Sequence, residues 1–311
     1  MATATRDAFA DALVRVGDDE RIVVLTGDLR DSTRTEKFQE KHPERFFDAG
    51  IAEKNLLGMA AGLAMSGKVP WAASFSCFVT GRFEVVRVSI AYQEANVRIV
   101  GTHAGIGVGE DGYSQMALED MALLRALPNV AIVNPADAVE TERAVEYLVD
   151  HVGPAFLRLT RQKVDDVNGP DYRFEFGRAV QLRDGSDVAI LATGATVQEA
   201  LKAAEALAGD GISARVLNVH TVKPLDEEAV LAAASDCGAV VSVEDHSAQG
   251  GLGGAVAETL ASRLVREAAP LRIIGTRTFG ESGPTDALYE KFGLSGDRIA
   301  ASTREFLDQL G

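Results

Sequence analysis

Cysteine, aromatic residues and basic charge are all scarce in this chain. Only two cysteines, Cys77 and Cys237, occur in 311 residues. They lie far apart in no ligand-like spacing, which argues against a disulfide framework and fits reduced thiols in a cytoplasmic protein. Lysine and arginine total 31 against 46 aspartates and glutamates, a net charge of -15. Neither nucleic acid nor an anionic membrane surface is therefore an expected partner, because either needs a basic patch. No apolar run approaches membrane-spanning length, and Met1 to Asp7 lack the basic-then-apolar layout of a signal peptide. The five histidines (His42, His103, His151, His220, His246) never fall within metal-ligand spacing of one another, so this chain alone is not expected to hold a metal. A Walker lysine pattern and a serine-centred nucleophile elbow are also missing.

What is present is ordinary globular composition, 46% hydrophobic and 25% charged, in a chain long enough for two cored domains. Short β-branched runs alternate with Ala/Leu/Glu-rich stretches from end to end. Residues 22–25, 97–100, 130–133 and 156–159 read as buried strands, followed after a break by 188–191, 214–217, 239–243 and 271–274. Helices are expected between them, among them Ala138 to Val149, Val197 to Ala208 and Gly253 to Glu267. Continuous apolar strands separated by helices imply parallel sheets covered on both faces. The break, Asp165 to Tyr172, is polar and carries Gly169-Pro170. The expected fold class is α/β, two domains of roughly 1–165 and 178–311, each a mostly parallel sheet flanked by helices.

Two segments carry chemistry. Glu53 opens the run Leu56-Leu57-Gly58-Met59-Ala60-Ala61-Gly62-Leu63-Ala64, apolar on nearly every face, which reads as a helix buried all round. An acid in a first turn suits the helix dipole, so by itself Glu53 needs no further role. The second segment, Gly101 to Gln115, follows a buried strand and crowds His, Glu, Asp, Tyr, Ser and Gln among glycines. Loops at the carboxyl ends of parallel strands are where α/β folds keep their sites. Other glycine turns are less telling: Thr193-Gly194-Ala195 lacks the three-glycine dinucleotide fingerprint, and Gly250-Gly251-Leu252-Gly253 follows Glu244-Asp245-His246 and not a phosphate-binding strand turn.

Gly50-Ile51-Ala52-Glu53, Ser74-Phe75-Ser76-Cys77-Phe78, the run Gly101-Thr102-His103 to Gly109-Glu110-Asp111-Gly112, and Arg158-Leu159-Thr160-Arg161 together resemble the pyrimidine-binding half of transketolase. Downstream, Glu244-Asp245-His246-Ser247 with Gly250 to Gly253, and Phe279-Gly280-Glu281-Ser282-Gly283, resemble the family's C-terminal domain. The resemblance runs over essentially the whole chain. It lacks the Gly-Asp-Gly motif and downstream Asn with which full-length members hold Mg²⁺ and the cofactor's diphosphate; Gly27-Asp28-Leu29 is the nearest string. The resemblance thus implies the C-terminal subunit of a split transketolase, using thiamine diphosphate and Mg²⁺ held mainly by a separate N-terminal subunit, as a heterotetramer.

By the same resemblance, Glu53 is the acid that hydrogen-bonds the cofactor's pyrimidine ring nitrogen, and Ile51, Phe75 and Phe78 form the apolar pocket for that ring. Arg6, Ser32, His103 and Arg161 match the family's cluster on the sugar phosphate, and Asp111 matches the acid on a substrate hydroxyl. Glu53 and His103 are the catalytic candidates. Gln115 stands where single-chain transketolases have a histidine, and glutamine cannot shuttle a proton near neutral pH. Gly81 replaces a family tyrosine, with Phe83 near enough in sequence to fill the space. Rival readings are the beta subunit of a 2-oxo-acid dehydrogenase, a 1-deoxyxylulose-5-phosphate synthase relative, and a non-catalytic scaffold subunit.

Overall fold

The computed structural model describes residues 2–263 and 269–311. Among them lie a seven-stranded sheet, a five-stranded sheet and a two-stranded ribbon. The larger sheet runs in the order Phe46–Asp48, Ile22–Thr26, Val69–Phe75, Arg98–Thr102, Ala155–Arg158, Ala131–Val133, Thr221–Lys223. Every neighbouring pair is parallel except the last. The smaller sheet runs Leu271–Thr276, Val240–Ser247, Val188–Thr193, Ala214–Asn218, Val180–Arg183, parallel but for its last strand.

Both sheets are covered on both faces, as the unbroken apolar strands require. In Ile22–Thr26 the alternation sends Val23 and Leu25 to one core with Leu56 and Leu57, and Ile22 and Val24 to the other with Phe9, Leu13, Val145 and Leu148. Each such side chain taken from water contributes about 1.5–3 kcal/mol. The helix Ala138–Asp150 starts as its sequence dictates: Asp137 accepts from the Glu140 amide at 2.8 Å, and Glu140 reaches back to the Ala136 amide at 2.7 Å.

Three differences from the sequence reading matter. The helix Glu53–Met65 is buried on one side only: Leu56, Leu57, Ala60 and Ala61 face the core, while Gly58 and Gly62 have no atom near an added Cβ and Met65 is 63% exposed. One chain supplies the packing for one face of that helix and no more. Secondly, the strand Thr221–Lys223 comes from beyond the polar break yet pairs antiparallel with Ala131–Val133 in the larger sheet. Thirdly, the helix expected at 253–267 is seen as Leu252–Arg263; residues 264–267 of that expectation lie outside the described residues.

Candidate functional site

The carboxyl edge of the larger sheet collects the candidate residues. Ile22–Thr26 leads into Gly27-Asp28 and on to Ser32; Phe46–Asp48 leads to Ile51 and Glu53; Val69–Phe75 ends on Phe75, and Arg98–Thr102 is followed at once by His103. Phe75 is paired with Thr102, and Gly101 with Arg158, whose strand leads to Arg161. Arg6 arrives from the opposite end of the chain. Thr3–Ala4 pairs with Lys163–Val164, and the Arg6 amide donates to the Thr160 carbonyl. A residue that in sequence looks like a solvated terminus is thereby held beside Arg161.

Glu53 lies in the first turn of its helix and is only 7% exposed. Among the described residues no group donates a hydrogen bond or ion pair to its carboxylate. Its approach is kept open by Gly27, where a Cβ would stand 3.1 Å from the Gly50 carbonyl and 3.9 Å from Glu53 Oε1. Asp48 shapes this corner by accepting from the amides of both Asp28 and Gly50 at 2.9 Å. Neither carboxylate oxygen is among the enclosed atoms left without a partner, so the acceptor keeps a narrow opening through which a donor from outside the chain can reach it. Nearby in the fold, the Phe75 ring stacks on Phe78 at 5.3 Å and on His103 at 3.7 Å between centroids. Ile51 stands outside this stack, 83% exposed.

A second group surrounds His103. Arg6 Nη1 donates to His103 Nε2 and to the Ser32 carbonyl, both at 3.0 Å. An arginine can only donate, so Nε2 is the unprotonated nitrogen and Nδ1–H points to Thr102 Oγ1 at 2.9 Å. Burial, then the charges of Arg6, Arg161 and Arg34, push the imidazole down to about 3. His103 is therefore neutral near pH 7, a hydrogen-bonding group and not a proton shuttle. Burial likewise lowers Arg6 from the usual arginine range, and Arg34 and Arg161 add to the effect. Arg161 Nη1 donates to the Val108 carbonyl at 2.6 Å and lies 3.4 Å from Asp111 Oδ2.

The sequence reading did not include Arg34. It takes a left-handed conformation (φ 64°) after the short helix Arg30–Thr33 and bonds Asp7 at 2.8 Å, which places its charge beside Arg6. No sequence signal marks that conformation at an arginine. Three guanidinium groups thus concentrate positive charge around a neutral histidine. Gln115 lies apart from it, on the turn Tyr113–Gln115; its carbonyl accepts from the Cys77 thiol, in the helix that carries Phe78. Burial, with Glu119 and Asp120, pushes that thiol up to about 12, so Cys77 is no nucleophile.

The glycine loop after His103 is built against the second sheet. Ile106, Val108, Met116 and Leu118 belong to the same apolar cluster as Val188, Ile190 and Val241. Its glycines answer close approaches: a Cβ on Gly105 (φ 84°) would lie 2.1 Å from Asp245 Oδ2, and one on Gly112 (φ 79°) 2.3 Å from Ser282 Oγ.

Comparison with known proteins places nearly the whole chain in one family. Residues 1–166 match the family model of the transketolase pyrimidine binding domain and residues 177–299 that of the transketolase C-terminal domain. The 6-deoxy-6-sulfo-D-fructose transketolase subunit SqwH of Clostridium sp. (strain MSTE9) is 43% identical over 307 residues, covering 98% of this chain and 94% of that one. A subunit of the apulose-4-phosphate transketolase of Phocaeicola vulgatus is 38% identical, covering 98% and 97%. A solved structure described as a split gene transketolase, inactive beta4 tetramer, superimposes with a TM-score of 0.91 at 44% identity, covering 98% of each chain.

Proposed function

We propose, given that this chain belongs to the transketolase family and matches subunits of split transketolases end to end, that it moves a two-carbon ketol unit between anionic sugars together with a diphosphate-binding subunit. It is a transferase that acts as part of a heteromer. The observation that carries the site assignment is Glu53, a residue only 7% exposed whose carboxylate has no protein partner among the described residues.

Thiamine diphosphate, when bound, supplies the acidic thiazolium carbon and the electron sink that ketol transfer needs. The residues at the sheet edge fit its pyrimidine ring. Glu53 would hold a proton against the ring nitrogen and thereby keep the ring's exocyclic nitrogen basic, a role that works only where water does not compete. Phe75 and Phe78 would wall one side of the ring. Ile51, exposed in the single chain, would meet the ring or the partner subunit. Gly27 leaves room for the approach.

Arg6, His103 and Arg161, with Ser32, would take the anionic end of the sugar, and Arg34 would add charge to it. Neutral His103 would give up its bond to Arg6, or share it, as the anion arrives. Asp111 would accept from a sugar hydroxyl, and Gln115 would bond donor hydroxyls without moving protons. The relatives' names point to a sulfonate in one case and a phosphate in another, and a cluster of guanidinium groups accepts either. Mg²⁺ and the diphosphate would sit mainly on the partner, in a cytoplasmic heterotetramer. The domain limits proposed are 1–165 and 178–311.

The test is a ketol-transfer assay with thiamine diphosphate and Mg²⁺, with and without the product of the adjacent gene, offering xylulose 5-phosphate or 6-deoxy-6-sulfofructose as donor and ribose 5-phosphate as acceptor. Transfer only with both chains is the expected result. Turnover of a 2-oxo acid instead would move the protein to the decarboxylating branch.

A further inference from the structure

The motif Glu244-Asp245-His246, at the carboxyl end of Val240–Ser247, is left without a role by the functional reading. Its centre is Asp245, 4% exposed, whose carboxylate accepts from two successive amides of the glycine loop, Ile106 at 2.8 Å and Gly107 at 3.3 Å. The same carboxylate accepts from the Tyr289 hydroxyl at 2.9 Å, and that hydroxyl accepts from Gln162 Nε2 at 2.6 Å. Gln162 is the neighbour of Arg161, and Arg161 itself bonds the loop at Val108. Thr285 adds a bond to the Gly107 carbonyl at 3.3 Å. Loop and arginine thus hang on one buried carboxylate 139 residues away from Ile106.

We infer that Asp245, with Tyr289, is a positioning residue for substrate: it fixes the loop that carries His103 and Asp111 and, through Gln162, the arginine that meets the anion. The inference rests on the functional reading of that loop. It gives the second unit a task beyond assembly. The physical reason is geometric. The loop, with positive φ at Gly105, Gly109 and Gly112, is bonded within itself only through the short 3₁₀ turns Ile106–Asp111 and Tyr113–Gln115, and a bidentate anion seated on the adjacent N–H groups of Ile106 and Gly107 ties the first of these turns to the second sheet. Gly105 is part of the same device, since no side chain fits between that backbone and the carboxylate.

The experiment uses Asp245→Asn and Tyr289→Phe, with Ile299→Val as a control that weakens the apolar cluster shared by the loop and the second sheet while leaving every hydrogen bond of Asp245 and Tyr289 in place. Amide exchange on the chain alone is expected to rise at least tenfold in the peptide spanning 103–112, while 188–193 and 240–243 keep their protection. In the complex with the diphosphate-binding subunit, KM for xylulose 5-phosphate is expected to rise about five- to twentyfold, and that for unphosphorylated xylulose by a clearly smaller factor, because only the Asp111 contact is loosened for it. Ile299→Val should lower the melting temperature and leave KM unchanged. Unchanged loop exchange overturns the inference, as does an equal KM shift for both sugars or the same shift in Ile299→Val. If Asp245→Asn does not fold by circular dichroism, Tyr289→Phe, which removes one hydroxyl, decides by the same readouts. A wild-type complex without ketol transfer counts against the functional reading, and loop exchange then still decides whether Asp245 holds the loop.

Discussion

Glu53 and Asp245 are both buried acids close to the carboxyl ends of parallel strands, and their surroundings differ in kind. Asp245 directs its lone pairs to two amides and a tyrosine hydroxyl, and the acids beside it are satisfied as well. Glu244 accepts from the Leu252 and Gly253 amides at 2.7 and 2.9 Å, and Asp120 from Ser76 at 2.6 Å and Arg158 at 2.8 Å. Glu53 has no donor among the described residues. Burial is thus a poor guide to function until partners are counted. A satisfied acid joins parts of the chain, and an unsatisfied one is spare bonding capacity.

The strongest way to break this contrast is to strip a partner from the satisfied side. Arg158 is 2% exposed; burial alone would raise Asp120, and Arg158 beside it holds it below the usual carboxylate range. Arg158→Ala leaves that carboxylate buried without its cationic partner, and should cost about 3–5 kcal/mol in urea unfolding. A loss under about 1 kcal/mol would show that the Asp120 carboxylate does not depend on Arg158.

Glu53→Gln is the mirror test. With no bond to lose, the chain should unfold within about 0.5 kcal/mol of wild type. Ketol transfer in the complex should fall at least about 100-fold, because an amide cannot hold the same proton. Activity near wild type would remove Glu53 from the cofactor's chemistry. Next in size, Arg161→Ala should raise KM for a phosphorylated donor about tenfold, near 1.4 kcal/mol, and leave an unphosphorylated one nearly unchanged. Equal effects would take it out of the anion site.

The last test is a pH slope. His103 titrates near 6.5 when unfolded and about 3 when folded. Between those values the unfolded chain binds more protons, so His103 makes stability rise with pH from about 3 to 6.5 and fall as the solution is acidified. His103→Gln should flatten that part of the stability profile. An unchanged slope would mean that the imidazole is not shielded and crowded by arginines as described.

Much of this was legible in the residues. Unbroken runs such as Ile22–Leu25 and Val188–Leu191 mark strands covered on both faces, and the Asp137/Glu140 pair marks a helix start, because periodicity and capping are local properties. The strings around Glu53, Phe75, His103 and Arg161 identified the candidate site by resemblance, since each follows its own strand. Arg34 was not legible, because its place depends on a left-handed turn and on Asp7. The one-sided burial of Glu53–Met65 was not legible either: an apolar helix does not say which neighbour covers each face.

The order of strands and helices, the acidic charge balance and the residue types of the candidate site follow from the sequence itself, because each is a local pattern or a count over the chain. Tertiary structure alone decided that Arg6 reaches His103, that Thr221–Lys223 joins the larger sheet, and that Asp245 grips the glycine loop. Those contacts join residues 88 to 139 positions apart (the nearest being Thr221 and Val133) and exist only once both sheets have closed their cores. No local pattern encodes the donor and acceptor distances that turn three separate segments into one site.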